Sequence, residues 1–415
     1  MLKLRPAIVV ETRRAGTGAG AGAGADAGER AAAGSEQRLV IELAGDLEPA
    51  RAGGHPDRRR EAIADVALVG SAQVGDQVIV NVQALDLGLG SGGFDVVHVN
   101  LTRGLDGGAD DDPARPHVMK LNYTSLQHAV EPVEDGQGGS PVLPVGRPAA
   151  VLALHGQLAG VAWAFAQGAP GAKLGYVQTE GGALPGGRSR TVRTLRERGL
   201  LAGHLTAGAA FGGEGEAITT AGALHHGLRV LGWDAAVCGP GPGIVGSGST
   251  LGHGGMSALD SAHVSLALGC PTLLVARMSS GDERTRHRGI SHHTLTVLDL
   301  LLEPVTVALP AGVRSPVGAE LRAGLSAVFG GAMPSAPAAE RPAGDRPALA
   351  VDVERPVRIA RHDWRRATVD LPAYAASGLP ADTMGRGLAG DPLFFAAALA
   401  GGSVLAELID TDERE

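Results

Sequence analysis

Cysteine, aromatic residues, lysine and long apolar runs are all scarce in this chain, and each scarcity excludes something. Only two of its 415 residues are cysteine, Cys238 and Cys270. They are far apart and fit no zinc or redox spacing, which excludes a disulfide scaffold and points to a reducing, cytoplasmic setting. Aromatics supply 3% of the residues, so Leu, Val, Ile and Ala must build the core. Arginine far outnumbers lysine, as expected of a GC-rich genome. The apolar run Ala7–Val10 ends at Glu11 and is too short for a signal peptide. The stretch 149–169 carries His155 and Gln157 and resolves into a strand plus a helix, not a membrane span. A formal net charge of −8 argues against nucleic acid or an anionic membrane as partner.

Glycine is abundant, and it organises the chain. Residues 15–35 are a Gly/Ala run without apolar bulk, expected to be a mobile loop. Strand-like Ala7–Val10 and Leu39–Leu43 flank it, followed by Val66–Val69, an alternating run around Val78, Val80 and Val82, and Phe94–Leu101. Short strands between Gly turns predict a small antiparallel β-domain over residues 1–145. From Pro148 the pattern changes to apolar strands alternating with helical segments. Six strands (150–154, 174–179, 204–207, 235–238, 272–277, 305–309) and five helices predict a Rossmann-like α/β domain over 148–330, with a parallel sheet covered by helices on both faces. A Pro/Ala-rich linker at 331–347 and a C-terminal α/β piece at 348–415 follow, the latter expected to pack on the core. In that piece Val351–Ile359 reads as a strand. The last helix reads as starting with Asp391 as its N-cap and Pro392 as its first residue, and as ended or interrupted at Gly401-Gly402.

Ligands of open parallel sheets bind beyond the carboxyl ends of the strands, and here those loops are long and glycine-rich. In the loop after the fourth strand, Gly243, Gly246, Gly248 and Ser249 are expected to cradle an anion with backbone amides. Gly243–Thr250 approaches a nucleotide-triphosphate loop, but Ser249 stands where that loop needs lysine. After the fifth strand, Arg284, Arg286 and Arg288 are expected to neutralise a phosphate or carboxylate, ahead of a helix capped by Ser291. His292 or His293, with Glu180 or Glu214 from neighbouring loops, would move protons. The histidines show no metal-ligand spacing, so no metal residues are named, and Cys238 reads as a structural thiol. The partner implied is an anionic small molecule; a homodimer is the base-rate expectation, and no cofactor is identified. A non-catalytic metabolite sensor and a metal-dependent hydrolase are the alternatives.

The runs Gly241–Gly246 and Arg286–His293, with Asp86–Gly93, Met119-Lys120-Leu121 and Thr383–Arg386, carry a resemblance. The chain resembles an uncharacterised bacterial family, domain of unknown function 3866, over nearly its full length. The resemblance implies membership but no established reaction.

Overall fold

Valine and isoleucine alternating with polar residues every second position bury one strand face, and the N-terminal unit, Met1–Glu131, is built on that rule. A computed structural model describes residues 2–14, 36–45, 58–88, 92–104, 118–135, 139–311 and 355–410. The Gly/Ala run at 15–35 and the linker at 331–347 lie outside them. Strands β1 (Leu4–Arg14), β2 (Glu36–Leu43), β3 (Arg59–Asp65), β4 (Gln77–Asn81) and β5 (Asp95–Asn100) form a closed barrel in the order β1-β2-β3-β5-β4. All pairs are antiparallel except β3 with β5, so the unit is mixed where a purely antiparallel one was expected. This order matches an OB-type Greek-key barrel. Val9, Leu39, Ile41, Val78 and Val80 fill its interior. Val66–Val69 is not a strand but a helical turn, α1, because the Asp65 carboxylate accepts the Ala67 amide and caps it. A second turn, α2 (Gln83–Asp86), follows β4, and a small hairpin joins β6 (Val118–Lys120) to β7 (His128–Val130).

The second unit, Pro132–Glu415, carries an eight-stranded sheet in which every pair is parallel. Its strands are β8 (Ala149–Leu152), β9 (Leu174–Thr179), β10 (Gly203–Ala207), β11 (Gly215–Ala217), β12 (Ala235–Pro240), β13 (Thr272–Val275), β16 (Thr306–Ala311) and β17 (Asp363–Thr368). The short pair β14 (Met278–Ser279) and β15 (Gly289–Ile290) lies between β13 and β16 in sequence. The sheet order is β11-β10-β9-β12-β8-β13-β16-β17. Helices α3 (Leu158–Gly168), α4 (Arg190–Glu197), α5 (Thr220–His225), α6 (Ser257–Ala267), α7 (His292–Leu300), α8 (Arg355–Ala360), α9 (Leu371–Ala376) and α10 (Pro392–Asp410) surround it. Near-continuous burial of β8, β9, β10, β12 and β13 fits a sheet covered on both faces.

Two strands exceed the expected six. Residues 215–217 begin as edge strand β11 before turning helical, and the 351–359 region ends in α8, with β17 following it. Adjacent strands β8 and β12 send their helices to opposite faces. Leu152 and Ala150 pack with α3 and α10, whereas Val151 and Ala153 pack with α6 and α7. That divergence makes β8/β12 the topological switch point, the place where open α/β sheets hold ligands.

Helix α10 runs through Gly401-Gly402 without a break. A β-carbon at Gly402 would lie 2.2 Å from the Val161 carbonyl of α3, and one at Gly160 would lie 2.9 Å from Ala398. These glycines allow close helix packing and do not end the helix. The carboxylate of Asp391 likewise turns outward from its own helix. It accepts the amides of Ser280 (2.8 Å) and Gly281 (3.3 Å) and the Ser279 hydroxyl (2.6 Å), while Ser280 Oγ accepts the Leu393 amide (3.3 Å). Among the described residues α10 is the one helix long and apolar enough to cross a membrane, yet 78% of that stretch is buried inside the protein as core.

Candidate functional site

The loops after β9 and β12 are glycine-rich because their backbones touch. A β-carbon at Gly182 would sit 2.2 Å from the Gly241 carbonyl, and one at Gly254 would sit 1.8 Å from the Gly181 carbonyl. Beyond that contact the β12 loop folds back as an exposed hairpin. Ser247 N donates to Gly252 O (2.7 Å) and Gly254 N to Val245 O (2.7 Å). Ser249 N donates to Ser247 Oγ (3.2 Å), and Gly252 N to Ser249 Oγ (2.9 Å). Gly243 adopts a positive φ of 70°, and Gly246 faces His253 across the hairpin. The amides of Ser247, Ser249, Gly252 and Gly254, and the Ser249 hydroxyl, are thus spent within the loop.

In the β13 loop, Asp282 organises the arginines. Arg284 grips its carboxylate with two bonds of 2.9 Å, Arg386 approaches to 3.5 Å, and the buried Arg277 to 3.6 Å. Arg288 Nε donates to the Asp282 carbonyl (2.8 Å). Burial pushes the Asp282 carboxyl up, but the Arg284 bonds and charge outweigh it and hold it well below the usual carboxylate range. Arg284 and Arg288 therefore position the loop, and Arg286 stands exposed beside them. Arg277, Arg284 and Arg386 share Asp282, and Arg386 also pairs with Asp391 (3.1 Å); with the exposed Arg286 and Arg288 beside them, guanidiniums outnumber these two carboxylates.

Four imidazoles converge next to this surplus. Ser291 caps α7 by accepting the His293 amide (3.2 Å) and shares a hydrogen bond with His287 Nδ1 (2.8 Å). The cap sets His292 and His293 on the first turn of the helix. His253, from the β12 hairpin, stacks on His293 with ring centroids 3.4 Å apart and planes 13° apart. His292 lies edge-on to His293 at 4.3 Å, and His287 to His293 at 4.8 Å. Arg277 Nη1 donates to His293 Nδ1 (2.8 Å), so a neutral His293 ring carries its proton on Nε2. Nε2 of His292 is buried without a hydrogen-bond partner, and the buried ring of His253 meets at most the Thr250 backbone of its own loop. One ligand nitrogen from each of His253, His292 and His293 falls within 4.8 Å of the others, so these three could hold a metal ion.

Burial, then the charge of Arg277, pushes His293 down to about 2. Burial, then Arg277 and Arg284, takes His287 to about 3. His292 falls to about 4 through burial and then its neighbours His253 and Arg286, and burial lowers His253 as well. At neutral pH all four rings are uncharged: available as ligands or acceptors, and costly to protonate unless an anion balances the arginines.

The two carboxylates assigned to proton transfer part company. Glu180 is exposed at the carboxyl end of β9, beside the Gly181–Gly254 contact that leads to His253. Glu214 is at the opposite, amino edge, which removes it from the proposed proton-transfer set. Its carboxylate accepts the His204 amide at the start of β10 (3.1 Å) and pairs with Arg196 (2.6 Å). The connection after β10 doubles back along the strand before β11 begins, and that return carries Glu214 away from the cleft. Cys238 is buried, and burial pushes its thiol up to about 12, which suits a structural residue.

A second buried imidazole lies at this edge. His155 Nδ1 is 3.2 Å from the Pro240 carbonyl, which only accepts, so Nδ1 carries the proton. Nε2 then accepts from the Ser189 hydroxyl (2.7 Å), while Ser189 Oγ caps α4 by accepting the Val192 amide (3.1 Å).

Sequence reasoning located both loops and singled out His292 and His293 but assigned no role to His253, His287 or Arg277. Their positions inside the two chemistry-bearing loops were the available signal. Protein-family comparison matches residues 61–402 to the family described as Protein of unknown function (DUF3866). No curated protein and no solved structure matches the chain. The matched span holds the barrel unit from β3 onward with its helical turns α1 and α2, the whole parallel sheet and the histidine–arginine edge, and the chain belongs to the DUF3866 family.

Proposed function

We propose that the protein is a cytoplasmic enzyme acting on a phosphate- or carboxylate-bearing small molecule at the carboxyl edge of the parallel sheet. The carrying observation is the convergence of neutral, buried imidazoles with an arginine surplus beside the switch point. An anion there would satisfy Arg286 and Arg288 and raise the affinity of His292 for a proton, coupling binding to acid/base readiness. Glu180 is the carboxylate on the same edge. Because the Ser249 amide is spent inside the Gly/Ser hairpin, the arginines are the main anion contacts in this reading, and Gly243, Gly246 and Gly248 are the loop amides left to join them. The buried free thiols of Cys238 and Cys270 suit a reducing compartment. A metal-dependent hydrolase is the second reading, favoured by the unpartnered nitrogens of His253 and His292.

The test is thermal stability against inorganic phosphate, pyrophosphate, sulfate and short dicarboxylates. A ligand at 100 times its dissociation constant stabilises by about 2.7 kcal/mol. The stabilisation should vanish in Arg286→Ala/Arg288→Ala, and Arg286→Ala alone, at an exposed side chain, should weaken it while the ligand-free melting temperature stays put. Undiminished stabilisation in that double variant would overturn the arginine assignment. Turnover of the stabilising compound separates an enzyme from a sensor.

A further inference from the structure

We propose that His253, His292 and His293 form a site for one divalent transition-metal ion of zinc-like ligand preference, with a coordination position left open toward the carboxyl edge. Neither spacing nor motif announces it: one ligand comes from the β12 hairpin and two from the first turn of α7. The fold brings one nitrogen of each within 4.8 Å of the others.

Three observations carry the site. First, His253 is 7% exposed, yet its ring nitrogens find at most the Thr250 backbone of their own loop, and the buried Nε2 of His292 finds no partner. Buried polar groups are nearly always satisfied, and orphaned nitrogens within one cluster mark a missing partner that accepts lone pairs. Second, the His253 and His292 rings both lie directly against His293, with centroids 3.4 and 4.3 Å from it, so one point is within reach of all three. Third, the backbone holding them is rigid: Ser291 caps α7, and the Arg277 amide donates to Thr294 Oγ1 (2.8 Å) in the same helix. Imidazole nitrogen selects zinc-class ions over magnesium or calcium, which prefer oxygen. Three protein ligands leave a fourth position for water or a substrate oxygen, the arrangement of catalytic and not structural zinc sites.

Two features of the chain define what metal entry requires. A metal lies in the plane of each ligating ring, so the His253 ring must turn out of its parallel stack on His293. Arg277 Nη1 holds the His293 Nδ1 lone pair, and the metal must take that lone pair from it. The displaced guanidinium keeps Asp282 as its counter-charge. With three neutral ligands the occupied site keeps the full charge of the ion and draws in an anion, which agrees with the proposed substrate class.

The site shares histidines with the anion reading, but its test uses metal alone. Untagged, chelator-treated protein is titrated with Co²⁺, followed by its visible ligand-field bands, and with Zn²⁺ against a chromophoric chelator. One equivalent should bind with intense, low-symmetry Co²⁺ bands. His253→Ala and His292→Ala should each weaken binding by at least about 100-fold, the upper end of what losing mere outer partners costs. His226→Ala, on another helix, should bind as the wild type does. Absent Co²⁺ bands, or stoichiometric binding that survives His253→Ala, would overturn the site. If His293→Ala fails to fold, His253→Ala decides alone, since its ring bonds at most the Thr250 backbone within its own loop. Anion stabilisation without metal binding would leave the proposed function standing and remove the metal.

Discussion

His155 and His253 hold matching places. Each lies beyond the carboxyl end of one of two hydrogen-bonded neighbours, β8 and β12, and they are 8% and 7% exposed. Burial lowers the proton affinity of both. Their nitrogens differ in use. His155 spends Nδ1 on the Pro240 carbonyl and Nε2 on Ser189, closing a chain that runs through the α4 cap. His253 spends at most one, on the Thr250 backbone of its own loop. Depth of burial and an acid-shifted imidazole are common to a structural and a functional histidine. The balance of hydrogen bonds is what separates them.

The comparison breaks or sharpens under mutation. The largest effect should come from His155→Ala, which strands the Ser189 hydroxyl and the Pro240 carbonyl and opens a cavity. A stability loss of about 2–4 kcal/mol is expected by chemical denaturation. His253→Ala should cost less than about 1 kcal/mol in the same assay, and equal losses would erase the distinction drawn here. Acid comes next. His155 and the stacked His204 have folded values of about 4 and about 3, below the ordinary 6.5. The folded state therefore binds fewer protons than the unfolded one between those values. The stability they support is complete above about pH 6.5 and is lost as pH falls toward 4. Between pH 7 and 5.5 the loss should be on the order of 1 kcal/mol for each buried imidazole. His155→Ala should flatten this pH dependence, and an unchanged slope would assign it to other groups. Ser189→Ala, which removes the α4 cap and the partner of His155 Nε2 but leaves the His155–Pro240 bond, should cost about 1 kcal/mol. A much larger loss would mean that Ser189 holds more than its helix.

The sheet was legible in the sequence because the determinants of β8, β9, β12 and β13 are local: short apolar runs, each followed by a helix that starts at a recognisable position. The β11 strand was hidden inside an apparent helix start. Three residues at a sheet edge carry too little pattern to compete with the helical periodicity that follows. Val66–Val69 misled for the opposite reason. β-branched residues suggested a strand, and the cap at Asp65 won locally. The histidine cluster was half legible. His292-His293 stood out at a helix start, but His253 joins them only through the fold of a different loop, and no one-dimensional spacing encodes that meeting. Glu214 shows the same limit in reverse, since a short return of the chain moved it to the far edge of the sheet.

The close seam between α3 and α10 has a consequence for synthesis. Residues 158–168 leave the ribosome well before their partner, residues 392–410. At about 5–20 residues per second, one apolar face of the nascent sheet waits roughly 10–50 s for its cover. During that interval the surface around Ala150, Leu152 and Val161 is open to chaperones and to other nascent chains. The cell's ability to shield a half-built sheet, as much as the stability of the finished one, sets how much of this protein accumulates.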